Sequence, residues 1–267
     1  MDYTLNCNGR LLSLAAPQVM GILNVTPDSF YAGSRKQTEA EIAQRTEQIT
    51  AEGGSIIDIG ACSTRPGSDP VDEAEETRRL REALAIVRRE APQAIVSVDT
   101  FRSGVARMAV EEYGVDIIND VSGASDMFRT VARMGVPYIY MSSRSTMRDI
   151  LLDCAEAVDN LRSMGQKDII LDPGFGFGKT LEQNYQTMQE LERMHMTGLP
   201  VLVGISRKSM IHRLLDTDPA QALNGTTALN TIALLKGASI LRIHDVREAV
   251  ECVKIVAAME SQHTSKQ

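Results

Sequence analysis

The 267-residue sequence contains no tryptophan, and aromatic side chains amount to only 4% of it. That scarcity argues against a surface built to stack nucleobases. A net charge of −7 and a pI near 5.2 point the same way, because generic nucleic-acid binders carry excess positive charge. Neither number excludes a small anionic ligand in a locally basic pocket. Cysteine is sparse: Cys7, Cys62, Cys154 and Cys252 lie far apart and form no C-x-x-C pair. They fit neither a disulfide framework nor a zinc pattern, and they suit a reducing compartment. No apolar run approaches the ~18 residues of a membrane span. The first apolar stretch, residues 11–16, is interrupted by Ser13 and stopped by Pro17, which makes a poor signal peptide. A soluble, cytoplasmic protein is expected. From Val19 onward no linker, low-complexity tract or charge block divides the chain, so residues 1–267 are expected to form one domain.

What the sequence does contain is a repeat. Short apolar runs occupy residues 18–24, 55–60, 94–99, 115–119, 136–141, 168–172, 200–206 and 238–244. They are nearly continuous rather than alternating, as a sheet covered on both faces requires. Helical period fills the gaps, at residues 38–52, 71–89, 146–164, 181–196 and 218–236, with a last helix from Asp245 to near Glu260. Residues 261–267 read as a frayed polar tail. Eight strand–helix alternations predict an α/β fold, a single (β/α)8 TIM barrel, rather than an open sheet of five or six strands. Ahead of it, within residues 1–16, Asn8-Gly9 stands between two strand-like runs and predicts a type I′ β-hairpin. That hairpin is expected to close the bottom of the barrel.

A barrel carries all its strand ends on one rim. Asn24, Asp99, Asn119, Asp172, Ser206, Lys208, Arg242 and His244 would then face one pocket. Taken singly, Asp99 and Asn119 are ordinary helix caps or Asx turns. Taken together, two carboxylates, an amide and an ammonium can hydrogen-bond an aminopyrimidinone edge. In Asp172-Pro173-Gly174-Phe175-Gly176-Phe177-Gly178-Lys179-Thr180, three residues separate Gly174 from Gly178, one too few for a phosphate loop. The segment is either a mobile turn or a backbone lying close to a flat ligand. Arg207 and Lys208 are expected in a first helical turn, where they oppose the helix dipole unless one serves a ligand. Arg242 and His244, one residue apart at a strand end, face the same side and read as two cations clamping a diphosphate. Long loops follow the first and second barrel strands. No histidine pair has metal-ligand spacing, and there is no G-x-S-x-G elbow.

Five segments resemble the dihydropteroate synthase family: Met20-Gly21-Ile22-Leu23-Asn24-Val25-Thr26-Pro27-Asp28-Ser29-Phe30, Ser63-Thr64-Arg65-Pro66-Gly67, the run from Asp172 to Lys179, Ser206-Arg207-Lys208, and Arg242-Ile243-His244-Asp245-Val246. The resemblance spans Val19 to about Ala258. It implies an enzyme that joins p-aminobenzoate to 6-hydroxymethyl-7,8-dihydropterin diphosphate and releases diphosphate in folate synthesis. It implies that Asp99, Asn119, Asp172 and Lys208 hold the pterin, with Phe177, Gly204 and Met141 around it, and that Asp99, Lys208 and Asp172 serve the chemistry. Asn24 would touch a Mg²⁺ bridging the diphosphate, and Arg242 and His244 would grip its oxygens. Thr64, Arg65, Pro66, Ser206 and Phe30 would form the p-aminobenzoate site, where sulfonamides compete. A homodimer is also implied. The expected reaction is a dissociative substitution at the pterin methylene, without a covalent enzyme intermediate.

The chain departs from the family pattern in three places. Tyr140-Met141-Ser142-Ser143-Arg144 replaces a His-Met pair, Cys62 replaces a Glu, and Tyr31-Ala32-Gly33-Ser34 replaces Ser-Asp-Gly-Gly. Two other readings keep the barrel: a pterin-dependent methyltransferase domain and a non-catalytic pterin-binding paralogue.

Overall fold

The chain first folds back on itself. β1 (Thr4–Cys7) and β2 (Arg10–Ser13) pair antiparallel, with Cys7 opposite Arg10. Asn8 and Gly9 turn between them at φ 53° and 84°, the two left-handed residues of the predicted type I′ turn. The computed structural model describes residues 3–25, 35–62 and 71–264. Its main sheet is parallel and eight-stranded: β3 (Gln18–Asn24), β4 (Ile56–Gly60), β5 (Ile95–Asp99), β6 (Ile117–Asp120), β7 (Tyr138–Met141), β8 (Ile169–Asp172), β9 (Leu202–Val203) and β10 (Ile240–Ile243). The strand order is β8-β7-β6-β5-β4-β3-β10-β9. A parallel bridge between Leu171 and Val201, with Leu171 N–H donating to Pro200 O at 2.9 Å, brings the two ends together. The expected (β/α)8 barrel is the fold observed.

The helices are α1 (Arg35–Ala51), α2 (Glu73–Glu90), α3 (Ser103–Tyr113), α4 (Ser125–Met134), α5 (Met147–Ser163), α6 (Leu181–Gln189), α7 (Ser209–His212), α8 (Leu223–Leu235) and α9 (Val246–Thr264). Their starts follow local chemistry. Asp72 and Thr146 accept backbone N–H groups at the heads of α2 and α5, and Thr180 with Gln183 forms a capping box on α6. Three expectations need correction. The stretch 181–196 is not one helix: α6 stops at Gln189 and a 3-10 segment, Leu191–Thr197, takes over. There Leu191 and Met194 are buried at three-residue spacing, which suits the tighter helix. The stretch 218–236 begins with a 3-10 turn, Pro219–Gln221, capped by Asp218, before α8 starts. α9 continues to Thr264, so residues 261–264 are helical rather than a frayed tail. No helix among the described residues is long and apolar enough to cross a membrane.

Outward-facing strand residues such as Ile57 and Ile59 join Leu80 and Leu84 of α2 in the core between sheet and helices. Inward-facing residues form two tiers. In the lower tier Met20, Ile56, Ile117, Ile139, Ile170, Leu202 and Ile240 pack with Leu5, Cys7 and Leu14 of the hairpin segment. Arg10 fastens the hairpin by donating to Asp116 Oδ1 at 2.8 Å and Gln93 O at 2.6 Å, and Asn6 N–H donates to Asp168 Oδ2 at 2.9 Å. One step further along each strand, the inward positions are Ile22, Asp58, Ser97, Asn119, Met141, Asp172, Gly204 and Arg242. This upper tier is the floor of the pocket.

Candidate active site

Four sheet residues meet directly on that floor. Arg242 of β10 donates from Nε to Asp58 Oδ2 at 2.6 Å and from Nη2 to Asp99 Oδ2 at 2.7 Å. Asn119 of β6 donates from Nδ2 to the same Asp58 oxygen at 3.2 Å. Ser97, the small residue on the intervening strand β5, leaves the room for that contact. Asp58 is fully buried, and its Oδ1 makes no hydrogen bond. In the sequence, Asp58 is hidden inside the apolar run of residues 55–60. The signal that would have found it is its parity: it lies two residues before Gly60, on the same face as Ile56 of the interior.

Opposite them stand Asp172 and Lys208. Asp172 ends β8 and accepts from Gly174 N at 2.7 Å. Gly174 lies so close to the β7 end that a Cβ there would come within 2.1 Å of Ser142 O and 3.2 Å of Met141 Cγ. Its φ of 69° adds a second reason for glycine. The following loop turns Phe175 into the core and leaves Phe177 half-buried. Lys208 Nζ donates to Phe175 O and stands 4.7 Å above the Phe177 ring. The loop is thus held by a buried aromatic and a lysine. Lys179 Nζ, donating to Gly174 O at 2.9 Å, adds a further tie.

Electrostatics follow from placing several charges in a confined space. Burial pushes the Asp99 carboxyl up, and Asp58 adds to this against the pull of Arg242. Burial likewise raises Asp172, opposed first by Lys208. Lys208 is pulled down to about 8 by burial, with Asp172 resisting. Burial also works against the Arg242 charge, but Asp58 and Asp99 outweigh it and raise its pKa. A guanidinium between two carboxylates therefore stays charged.

His244 corrects the two-cation expectation. Burial, with Arg242 nearby, lowers its pKa to about 4, so it is a neutral imidazole. Ser206 Oγ lies 2.9 Å from His244 Nδ1 and accepts the His244 backbone N–H at 3.1 Å. Arg207 and Lys208 also differ from expectation. They precede α7 instead of occupying its first turn, Lys208 being the residue before Ser209. Arg207, at φ 54°, pairs with both oxygens of Asp245 at 2.9 and 2.5 Å, which leaves Lys208 to face the pocket.

Of the remaining predicted residues, Gly204 sits beside Arg242, where a Cβ would lie 3.8 Å from that residue's own Cβ. Asn24 ends β3, exposed, and flanks Gly60 together with Asp99: a Cβ on Gly60 would be 3.7 Å from Asn24 Oδ1 and 3.6 Å from Asp99 Cβ. Phe30, Thr64, Arg65 and Pro66 lie outside the described residues. At the end of β7, the replaced His-Met segment is organised by Asp153. It accepts from Tyr140 OH at 3.0 Å, Ser142 Oγ at 2.6 Å and Arg144 Nε at 3.1 Å.

Comparison with known proteins agrees with this geometry. A family model described as pterin binding enzyme matches residues 20–244. The dihydropteroate synthase of Escherichia coli K12 is 36% identical, with 97% of each chain covered. The Xanthomonas albilineans dihydropteroate synthase, solved with 4-aminobenzoic acid, superposes with a TM-score of 0.92 at 34% identity, covering 97% of this chain and 99% of that one. The Yersinia pestis dihydropteroate synthase, solved as a sulfonamide drug complex, gives 0.85 at 37% identity, covering 97% and 100%.

Proposed function

The chain belongs to the dihydropteroate synthase family of pterin-binding enzymes and joins p-aminobenzoate to 6-hydroxymethyl-7,8-dihydropterin diphosphate with release of diphosphate; we propose that its pocket separates ring recognition from leaving-group capture. The observation that carries this reading is the convergence on one floor of Asn119 and Asp99, linked through Asp58 and Arg242, with Asp172 and Lys208 opposite them. Asp172 and the Asn119 carbonyl accept N–H groups of the aminopyrimidinone edge, while Lys208 donates to its acceptors. Phe177 and Met141 cover the ring, and Gly204 leaves space beside Arg242. Arg242 meets the diphosphate through guanidinium capacity that Asp58 and Asp99 do not use. His244, neutral, contributes hydrogen bonds there rather than charge.

Breaking the methylene C–O bond leaves a cation conjugated with the pterin, and the carboxylates of Asp99 and Asp172 stabilise it where it forms. The electron pair departs with the diphosphate. The arylamine nitrogen then attacks the methylene and loses its proton, so no covalent bond to the protein is needed and positioning dominates. A pterin–protein adduct trapped on acid quench would overturn this order of events. Ser206, with Phe30, Thr64, Arg65 and Pro66, is proposed for the p-aminobenzoate side, where sulfonamides would compete.

Among the described residues no group of three or more His, Cys, Asp or Glu is arranged to hold a metal. One exposed amide oxygen at Asn24 nevertheless fits magnesium, which keeps most of its waters and is commonly held through substrate phosphates. Bound there, Mg²⁺ would offset diphosphate charge. Reduced Cys7, Cys62, Cys154 and Cys252 support a cytoplasmic setting. Ile232, Leu235, Ile255 and Met259, exposed at 39%, 54%, 59% and 52% on the paired helices α8 and α9, support a homodimer.

A coupled assay of diphosphate release, run with both substrates and with or without Mg²⁺, tests the proposal. Turnover that requires both substrates is expected. Binding of the pterin diphosphate without turnover would make the chain a non-catalytic pterin binder. Arg242→Ala should weaken pterin diphosphate about 30- to 100-fold, the cost of losing a charge-assisted contact. Free pterin should bind nearly as before. Equal losses for both ligands would make Arg242 structural.

A further inference from the structure

We infer that Asp58 is a positioning residue for ring recognition: it fixes which end of the Asn119 amide the pterin meets. The inference rests on reading the pocket as a pterin site. Among the described residues, Asp58 Oδ2 is the sole hydrogen-bond partner of the Asn119 side chain. The two ends of an asparagine amide have nearly the same shape and opposite hydrogen-bonding character, so packing cannot choose between them. A carboxylate only accepts. It therefore takes the NH₂ end of Asn119 and leaves the carbonyl oxygen for the ligand. The aminopyrimidinone edge offers N–H donors, and an inverted Asn119 would set donor against donor.

The same Asp58 oxygen accepts from Arg242 Nε at 2.6 Å, so one carboxylate orients a ring-binding amide and the guanidinium at the diphosphate end together. Its surroundings suit a fixed device. Asp58 is fully buried within β4, between outward-facing Ile57 and Ile59, and Ser97 on β5 is small enough to let Asn119 reach across. A leucine at position 58 would lose the selection, because it accepts from neither Asn119 nor Arg242.

Two replacements of the carboxylate test this. In Asp58→Leu, which removes every acceptor at that position, free 6-hydroxymethylpterin should bind about 10- to 100-fold more weakly, as sites built around a hydrogen bond do when the partner is mismatched. The KM for p-aminobenzoate should move less than about two-fold, since that ligand meets other residues. Asp58→Asn is the conservative counterpart. Arg242 Nε and Asn119 Nδ2 donate to one atom of residue 58, so the new amide must set its carbonyl oxygen there and the selection persists. Pterin affinity of D58N should therefore stay within about three-fold of wild type. Wild-type affinity in D58L, or a D58N as weak as D58L, would overturn the inference. A purely structural Asp58 would lower the melting temperature and leave the pterin Kd of the folded protein unchanged.

Neutron diffraction from deuterated wild-type crystals decides independently of whether any variant folds. Amide deuterons on the Asp58 side of Asn119 support the inference, and deuterons on the pocket side overturn it. Failure of the wild-type protein to bind pterin would sink the functional reading, whereas a pterin-binding wild type with an unaffected D58L sinks only the role of Asp58.

Discussion

Along β6 the inward positions run from Ile117 to Asn119, along β8 from Ile170 to Asp172, and along β10 from Ile240 to Arg242. Two residues separate a tier that only excludes water from a tier that holds several charges. The lower tier packs seven large apolar side chains against Leu5, Cys7 and Leu14. Each such side chain contributes roughly 1.5–3 kcal/mol by leaving water. The upper tier does the reverse. It buries Asp58, keeps Asp172 and Lys208 against the pull of desolvation, and carries glycine and serine where larger residues would fill the space. Stability and recognition are thus stacked along the same strands, and each should respond to substitution on its own.

The strongest test lies in the upper tier. Lys208→Met should lower turnover by about 10³-fold or more, the scale of losing a preorganised donor at a site of changing charge. Thermal unfolding should change little, because relief from burying an ammonium whose pKa has fallen to about 8 offsets the lost ties to Phe175 O and Phe177. A large drop in melting temperature would break the separation. The lower tier should give the mirror result. Ile117→Ala should cost about 2–5 kcal/mol in denaturant unfolding, from lost burial and the cavity left behind. KM for both substrates should stay near wild type at 20 °C, and a several-fold rise would mean that the tiers are mechanically coupled.

A finer probe is His244, beside the diphosphate end. Its folded pKa of about 4 lies below the ordinary 6.5, so between these values the unfolded chain binds a proton that the folded protein does not. Folded-state stability should be intact above pH 6.5 and decline as pH falls toward 4, by about 2–3 kcal/mol. His244→Gln lacks that loss. Melting curves of the two proteins should therefore converge or cross on acidification, and parallel curves would show His244 to be freely protonated.

The strand ends were legible because chemistry-bearing residues followed apolar runs, and β3 occupies its predicted bounds of residues 18–24. The hairpin was legible from Asn8-Gly9, since few other pairs accept two left-handed conformations in succession. Asp58 was not, because a continuous apolar run hides which faces point inward until the register is known. His244 was misjudged as a cation because its environment, buried beside Arg242, comes from closure of the sheet and not from its neighbours in sequence. Arg207 was grouped with Lys208 by adjacency, while the fold commits it to Asp245, 38 positions away. The β7 end is one of the three departures from the family pattern. Asp153, nearly two turns into α5, supplies it with a different set of ties.

The hairpin is made before the barrel strands and is seated after them. Its fasteners are Asp116 and Asp168, 106 and 162 positions downstream of Arg10 and Asn6, and its apolar residues pack on Ile240. During synthesis the opening segment must therefore wait for nearly the whole chain before it can dock. Its seating would time-stamp completion of the barrel, and a fluorophore on the exposed Leu11 would report that moment on the ribosome.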